Sequence, residues 1–200
     1  MSKRIALLSA VALSTLAITG AVLAPAQAED KKMMKSEMSG EKTVMVGGAP
    51  MYPSKNIVEN AVNSKDHTTL VAAVKAAGLV DTLAGPGPFT VFAPTNAAFA
   101  KLPAGTVDTL VKPENKAQLT AILTYHVVAG RITAADIAAK ARAHRGTATY
   151  TTVQGGTLTF KKVGMAWMIM DGKGDSGRIT IANVMQSNGV IHVIDTVMMP

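Results

Sequence analysis

The sequence predicts an α+β fold, with several short helices and an antiparallel sheet system. Helical apolar spacing and helix-capping residues occur before Gly146, whereas β-rich segments separated by turn residues dominate after it. The length of 200 residues suits one domain, and the hydrophobic share of 48% is ordinary for a globular chain. The chain has no cysteine, which excludes a disulfide scaffold, a thiolate zinc site and a cysteine nucleophile.

Residues 1–28 have the pattern of a secretory signal peptide. A basic start (Lys3, Arg4) precedes an apolar stretch that ends in the small-x-small sequence Ala26-Gln27-Ala28. A membrane anchor is the alternative, but it needs about 20 apolar residues, and Ser and Thr interrupt this stretch. We therefore expect an exported chain, periplasmic or secreted, that begins near Glu29 and keeps no stable transmembrane anchor.

Residues 29–50 are predicted to be a flexible tether, with the folded domain spanning 51–200. Four Lys and four acidic residues cancel in charge, and glycines and Pro50 interrupt the segment. The tether also holds four Met residues. Clustered thioethers bind Cu(I), but no His or Cys accompanies them, so a polar arm with incidental Met is the favoured interpretation.

The first predicted helix follows Asp66, which is placed to cap it. Leu70, Val74 and Ala77 share one face, and Gly78 stands where the helix ends.

Two more helices are indicated before Gly146. Pro113 begins one of them, with Glu114 in the first turn; its apolar stripe has i, i+3, i+4 and i+7 spacing and consists of Leu119, Ile122, Leu123 and His126. In the other, Thr133 and Asp136 fit a capping box. Ile132 and Ile137 fit the hydrophobic staple around that box.

The strands after Gly146 are predicted from turn residues between apolar runs. They are residues 147–153, 157–163, 165–170, 179–186 and 190–199. Asn188-Gly189 is a strong hairpin signal between the last two. The final strand is apolar on both alternating faces, so it is expected to be central and buried.

Three segments carry a family resemblance. They are TVFAPTNAAFAKLP (Thr90–Pro103), LTYHVVAGRI (Leu123–Ile132) and SNGVIHVIDTVMMP (Ser187–Pro200). In this order and at these separations they resemble the two boxes and the central Tyr-His motif of the fasciclin domain, from about Tyr52 to Pro200. The resemblance implies a bacterial exported single-domain fasciclin protein with a compact β-sandwich-like wedge and short helices. It also implies cell adhesion or matrix and surface interactions, and in some members the binding of lipophilic pigments such as carotenoids.

The motif residues have a structural or a partner-facing interpretation. They are Thr90, Phe92, Pro94, Thr95, Tyr125, His126, Asn188, Gly189, His192 and Asp195. Taken residue by residue, Phe92 is expected in the core and Thr95 at a helix N-terminus. His126 and His192 are expected to be core histidines with satisfied hydrogen bonds rather than metal ligands.

No catalytic residue, metal site or resident cofactor is predicted. The segment Gly174–Gly177 is similar to the nucleophile segment of trypsin-like proteases, but no matching protease framework accompanies it, which favours a surface turn. Asp171, Lys173 and Asp175 partly match a calcium loop, yet Lys at the third ligand position and Ala182 at the twelfth argue against one. The protein is therefore predicted not to be an enzyme.

The basic residues have one concentration. Removing Lys3 and Arg4 lowers the net charge from +7 to +5, since 18 basic and 13 acidic residues remain. Lys140, Arg142 and Arg145 lie together and could contact an anionic surface; the alternative is a solvated helix end favoured by the helix dipole. Three charges without interleaved aromatics are a poor nucleic-acid footprint, so no nucleic-acid partner is expected.

Two functions remain after the enzyme is set aside. The first is an extracytoplasmic cell-adhesion or surface interaction module, whose partner is a cell-surface or matrix polymer or protein. The alternative is a carrier of an apolar small molecule, such as a carotenoid or lipid. Met165, Met168 and Met170 around Trp167 motivate the carrier, although the same residues fit a packed strand.

Overall fold

A computed structural model describes residues 42–200 of the chain. The expected signal peptide and residues 29–41 of the expected tether lie outside the described residues. The helices are α1 (Ile57–Ala61), α2 (Thr68–Ala77), α3 (Val80–Ala84), α4 (Asn96–Phe99), α5 (Thr106–Leu110), α6 (Lys116–Tyr125) and α7 (Ala134–Ala143). The strands are β1 (Val44–Val46), β2 (Ala49–Met51), β3 (Phe89–Pro94), β4 (Val127–Ala129), β5 (Thr147–Thr151), β6 (Thr157–Val163), β7 (Ala166–Met170), β8 (Ser176–Gln186) and β9 (Gly189–Ile194).

The end of the predicted tether is folded. β1 and β2 form an antiparallel hairpin whose turn is Gly47-Gly48, and both glycines have positive φ (57° and 75°), the backbone that two-residue hairpin turns require. Val46 and Met51 are buried in the core. The prediction of a flexible arm up to residue 50 is therefore wrong for residues 44–50, and the domain begins before Met51.

Helix α2 begins later than its sequence pattern indicated. A 3-10 turn, Lys65–His67, precedes it, so Asp66 lies inside that turn instead of capping the helix. Gly78 closes α2 in the left-handed conformation at φ 73°, as predicted.

Helix α7 begins directly after its predicted N-cap, Thr133, whereas α6 begins three residues after its predicted first residue, Pro113. A second 3-10 turn, Pro113–Asn115, leads into α6. At α7 the capping box is present in full, because Thr133 accepts from the Asp136 amide and Asp136 accepts from the Thr133 amide. The staple residues Ile132 and Ile137 are both buried.

Seven strands form one sheet in the order β4-β3-β9-β8-β7-β6-β5. The predicted hairpins β5–β6 and β8–β9 are antiparallel neighbours, and all six residues of β9 are buried. The sheet is not entirely antiparallel as expected, because β9 runs parallel to β3. All the elements from α4 to β8 lie between β3 and β9 in the sequence. Local sequence signals do not encode a strand pairing across such a separation.

The sheet curls back on itself toward a barrel. Phe92 on β3 and Phe160 on β6 have ring centroids 5.0 Å apart, although β9, β8 and β7 lie between their strands in the sheet order. The amide of Val153, just past β5, donates to the carbonyl of Val127 on β4 at 2.7 Å. The two ends of the sheet therefore meet at this hydrogen bond.

Two apolar clusters fill the domain, one on each face of the sheet. The first lies under α1 to α6 and includes Val91, Ala93, Ile191 and Val193. The second lies inside the curl, where α7 covers Phe92, Phe160, Ile169 and Ile194. Alternate residues of β3 and β9 face opposite clusters, as the pleat of a central strand requires. Within residues 42–200, no helix has the length and apolarity needed to cross a bilayer.

Candidate functional site

The motif residues on β3 and β9 pack inside the curl. Phe92 and His192 are fully buried, and their rings stack with centroids 5.4 Å apart. His192 Nε2 donates to the carbonyl of Ile132 at 2.9 Å, and its Nδ1 accepts from the amide of Asn183 at 3.4 Å. Burial lowers the pKa of His192, so the ring is a neutral core group.

Thr90 joins β3 to the segment that leads into α7. Its hydroxyl donates to the carbonyl of Gly130 at 2.6 Å and accepts from the amide of Ile132 at 2.8 Å. The side chain has no exposed surface, and both hydrogen-bonding capacities of the hydroxyl are used.

Tyr125, the last residue of α6, connects this helix to β6 and to the turn after β7. Its hydroxyl donates to the carbonyl of Thr157 at 2.7 Å and accepts from the amide of Gly172 at 2.9 Å. Burial raises the pKa of Tyr125, so the phenol stays protonated as these hydrogen bonds require.

His126, the next residue, occupies the end of α6. Its Nδ1 lies 2.8 Å from the carbonyl of Ile122, and its Nε2 accepts from the amide of Met198 at 3.0 Å. Burial lowers its pKa to about 4. The imidazole satisfies one free carbonyl at the helix terminus and one amide at the end of the chain.

Asn188 connects three segments that are distant in sequence. Its amide group donates to the carbonyls of Leu83 and Gly85, both at 2.8 Å, and its carbonyl oxygen accepts from the amide of Ile57 at 3.0 Å. The next residue, Gly189, lies directly beside β3. A Cβ at this position would lie 2.0 Å from the carbonyl oxygen of Phe89.

The remaining motif residues lie near the end of β3. Pro94 is its buried last residue, and Thr95 caps α4 by accepting from the amide of Ala98 at 3.2 Å.

Asp195 follows the end of β9 and is partly exposed. It accepts from the amide of Arg178 at 2.8 Å and lies 3.9 Å from the ammonium of Lys101. Burial opposes its ionisation, but the hydrogen bonds from Arg178 and Thr196 and the nearby cations outweigh burial and lower the pKa of Asp195.

Eight of the ten motif residues are buried, and Thr95 and Asp195 are half-buried; the Asp195 side chain is 39% exposed. The structure thus places them in packing, capping and hydrogen-bonding roles inside the domain.

The segment that resembles a protease nucleophile is a surface turn. Asp171 closes it, because its Oδ1 accepts from the amides of Lys173 and Asp175 at 3.0 and 2.9 Å. Its Oδ2 accepts from the amide of Met199 at 3.0 Å. Ser176 is the first residue of β8 and pairs with Met170. Across the described residues, no group of three or more His, Asp or Glu is arranged to hold a metal ion.

The predicted basic cluster divides into two parts. Lys140 is engaged: its ammonium lies 4.0 Å from the ring centroid of Tyr150 and donates to the carbonyl of Thr149 at 2.5 Å. Arg142 and Arg145 are exposed at the end of α7. Arg145 has a positive φ of 54°, which turns the chain from α7 toward β5.

Two further cations lie at the same end of the sheet and were missed from the sequence. Thr147, the first residue of β5, pairs with Lys161 near the end of β6. Arg145, two residues before Thr147, is therefore at the same end of the sheet as Lys161 and Lys162. The signal in the sequence is the segment 137–170, which contains five Lys or Arg and no Asp or Glu.

A second feature missed from the sequence is an internal cavity of about 60 Å³ between α1, α2 and the sheet. Its lining is almost wholly aliphatic and includes Val46, Met51, Val74 and Ile191.

His67 is one of three buried polar residues in this lining, with Ser64 and His126. Its Nδ1 pairs with Ser64 at 2.8 Å, while its Nε2 has no hydrogen-bond partner among the described residues. Burial lowers the pKa of His67; the Ala93 carbonyl, which is near the ring but outside hydrogen-bonding geometry, and Asp66 oppose this only in part.

The geometry defines an α+β domain with a curled seven-stranded sheet, neutral buried histidines and a basic sheet end. The model of the fasciclin domain matches residues 65–200, and the chain belongs to the fasciclin domain family.

Relatives at substantial identity support this assignment. The chain is 49% identical over 162 residues to protein sll1483 of Synechocystis, which covers 80% of this chain and 82% of that one. It is 41% identical over 145 residues to the immunogenic protein MPB70 of Mycobacterium bovis, covering 70% and 66%. It is 39% identical over 145 residues to the cell surface glycolipoprotein MPB83 of the same species, covering 70% and 58%.

A solved structure shares the fold. A pair of FAS1 domains from the insect cell adhesion molecule fasciclin I superposes with a TM-score of 0.63 at 18% identity, covering 72% of this chain and 51% of that one.

Proposed function

We propose that this protein is a non-catalytic interaction module outside the cytoplasm that attaches to a cell-surface or matrix component. One observation carries the proposal: segment 137–170 contains five Lys or Arg and no Asp or Glu, and its cations Arg142, Arg145, Lys161 and Lys162 are exposed, while eight of the ten motif residues are buried. A surface with one sign of charge attracts polyanions and charged headgroups.

The relatives support the same class of function. MPB83 is named a cell surface glycolipoprotein, and the fasciclin I domains come from a cell adhesion molecule. The predicted signal peptide agrees with a place outside the cytoplasm.

The test is a saturable binding assay of the purified protein on intact cells, acidic polysaccharides and matrix proteins. We expect Arg142→Glu with Arg145→Glu to weaken binding at least tenfold, because both cations become anions. The matched control is Lys65→Glu with Lys112→Glu, which makes the same charge change at exposed positions elsewhere. Folded protein without saturable binding to any of these surfaces would exclude the proposal.

The cavity supports a second candidate function, the carrier of an apolar small molecule. Its walls are aliphatic, and His67 Nε2 offers one hydrogen bond to a polar group of a ligand. Dry apolar cavities of roughly 150 Å³ take a molecule the size of benzene, so 60 Å³ admits only a short chain end or a few atoms. A whole carotenoid would need α1 and α2 to separate from the sheet.

Native purification tests the carrier directly. The protein is isolated from its own cells, its visible spectrum is recorded, and its organic extract is analysed by mass spectrometry. A stoichiometric apolar molecule that is lost in a Val74→Trp variant, which fills the cavity, supports the carrier. A colourless, lipid-free protein contradicts it.

A further inference from the structure

The β6–β7 hairpin ends in two exposed apolar side chains. Met165, in the turn, is 98% exposed and Val163, at the end of β6, is 57% exposed. Gly164 between them has a φ of 61°, which allows the tight turn that projects both side chains. Water therefore reaches both side chains, and Met165 almost completely, at a cost in hydration free energy.

Cations lie directly behind this apolar turn. Lys161 and Lys162 are the preceding residues on β6 and are exposed, and Lys162 pairs across the strands with Trp167. The register of β5 on β6 places Arg145 at the same level as the end of β6, and Arg142 precedes it on α7. We name these six residues the basic tip: Arg142, Arg145, Lys161, Lys162, Val163 and Met165.

The nearest carboxylates along the chain are at the far ends of the same elements. Asp136 lies in the first turn of α7, whereas Arg142 lies in its last turn. Asp171 follows β7 at the end opposite the turn, and it is buried. The basic tip therefore combines protruding apolar side chains with cations that no acid on its own segment neutralises.

We propose that the basic tip docks the domain on lipid bilayers that carry anionic headgroups, and this rests on the proposed surface-binding function. Val163 and Met165 enter the headgroup region, while the four cations contact phosphate or carboxylate groups around them. Amphipathic surfaces bind membranes through this combination of apolar area and charge. An acidic polysaccharide would use the cations but gives no role to the two apolar side chains, so the lipid surface is favoured.

Half-buried Trp167, the only Trp in the chain, lies next to the tip. Its fluorescence gives a readout that does not require a label. An indole that moves into the interface emits at shorter wavelength, whereas binding through another face leaves its emission unchanged.

The experiment is vesicle cosedimentation with phosphatidylcholine alone and with 30% phosphatidylglycerol. The protein is recovered after export and its N-terminus is read by mass spectrometry, so that no leader contributes. We expect binding to the anionic vesicles only, a blue shift of Trp167, and weakening by added salt.

Two variants separate the contributions of the tip. Lys161→Gln with Lys162→Gln is expected to weaken binding roughly 30-fold, because each substitution removes one positive charge that attracts the anionic headgroups. Val163→Ser with Met165→Ser is expected to weaken it at least about tenfold. The matched control, Met45→Ser with Val62→Ser, removes one exposed Met and one exposed Val elsewhere on the domain (58% and 48% exposed) and should bind like the parent protein.

Three outcomes would overturn the proposal. They are no binding to anionic vesicles, equal loss in the tip and control variants, or binding to an acidic polysaccharide that Val163→Ser with Met165→Ser leaves intact. Saturable attachment to cells that persists without vesicle binding would contradict the lipid partner and leave the proposed function standing. Vesicle binding without attachment to any cell or matrix would contradict the proposed function and leave the lipid partner standing.

Discussion

His126 Nε2 accepts a hydrogen bond from the backbone amide of Met198, 3.0 Å away, and joins the end of α6 to the last residues of the chain. An amide can only donate, and the Ile122 carbonyl on the other side of the ring can only accept. The proton must therefore be on Nδ1, and the ring must be neutral. A second proton on Nε2 would face the Met198 N–H and break this connection.

Stability is expected to fall as the pH drops from about 6.5 toward 4. The unfolded chain binds a proton on His126 near pH 6.5, whereas burial lowers the folded pKa to about 4, so acid favours unfolding by about 3 kcal/mol for this residue. The pKa values of His67 and His192 are also lowered by burial, which adds to the same trend. The charge of Asp171 favours the imidazolium form of His126, which limits this loss of stability.

Urea unfolding at pH 7.5, 6.5, 5.5 and 4.5 measures this trend. Imidazole NMR of the folded protein checks the assignment, because His126 should show no titration above about pH 5. A titration of His126 near pH 6.5 in the folded state would contradict the prediction.

Asn188→Ala is expected to destabilise the domain by about 3 kcal/mol or more. It leaves the carbonyls of Leu83 and Gly85 and the amide of Ile57 without their partner, and each unsatisfied buried group costs about 1–3 kcal/mol. The control is Asn63→Ala, since exposed Asn63 makes one hydrogen bond, to the Glu59 carbonyl. Urea denaturation of both variants should show a loss within about 1 kcal/mol for the control; similar losses in the two would refute the role of Asn188.

Gly189→Ala is expected to lower stability by more than about 3 kcal/mol, because the new methyl group would lie 2.0 Å from the Phe89 carbonyl oxygen. Backbone is on both sides of this contact, so β3 and β9 must separate to relieve it. Gly48→Ala is the control: its φ is +75° but no atom lies within 4 Å, which limits the cost to about 1–2 kcal/mol of left-handed strain. Thermal unfolding distinguishes the two, and equal shifts in Tm would be evidence against the close approach of the strands.

The elements that the sequence predicted correctly depend on local interactions. The capping box at Thr133 and Asp136, the Gly78 helix end and the hairpin at Asn188 each require residues within a few positions of one another. The parallel pairing of β3 with β9 joins Phe89 to Gly189, and no local pattern reports such a contact. The basic tip was half predicted for the same reason: Arg142 and Arg145 are near neighbours in sequence, but the β5–β6 register brings Lys161 to them.

The hairpin β1–β2 was missed although it has a local signal. Val44 and Val46 alternate before Gly47-Gly48, and two glycines between apolar residues indicate a two-residue turn. The three-residue strands are too short to form alone, and packing on the first apolar cluster stabilises them. That dependence on tertiary contacts is why composition favoured a flexible arm.

Two methionines of this hairpin test whether it belongs to the folded domain. Met51 is 2% exposed and lines the internal cavity, whereas Met45 is 58% exposed. Met51→Ala should cost about 2–5 kcal/mol, because it removes buried methylene and thioether atoms and enlarges a cavity that is already present. Met45→Ala should change the free energy of unfolding by no more than about 0.5 kcal/mol.

Both variants keep the length of the segment and differ only in which face of the hairpin loses a side chain. Urea unfolding followed by circular dichroism measures both, and a Met51→Ala protein as stable as the Met45→Ala protein would mean that the hairpin does not close the core.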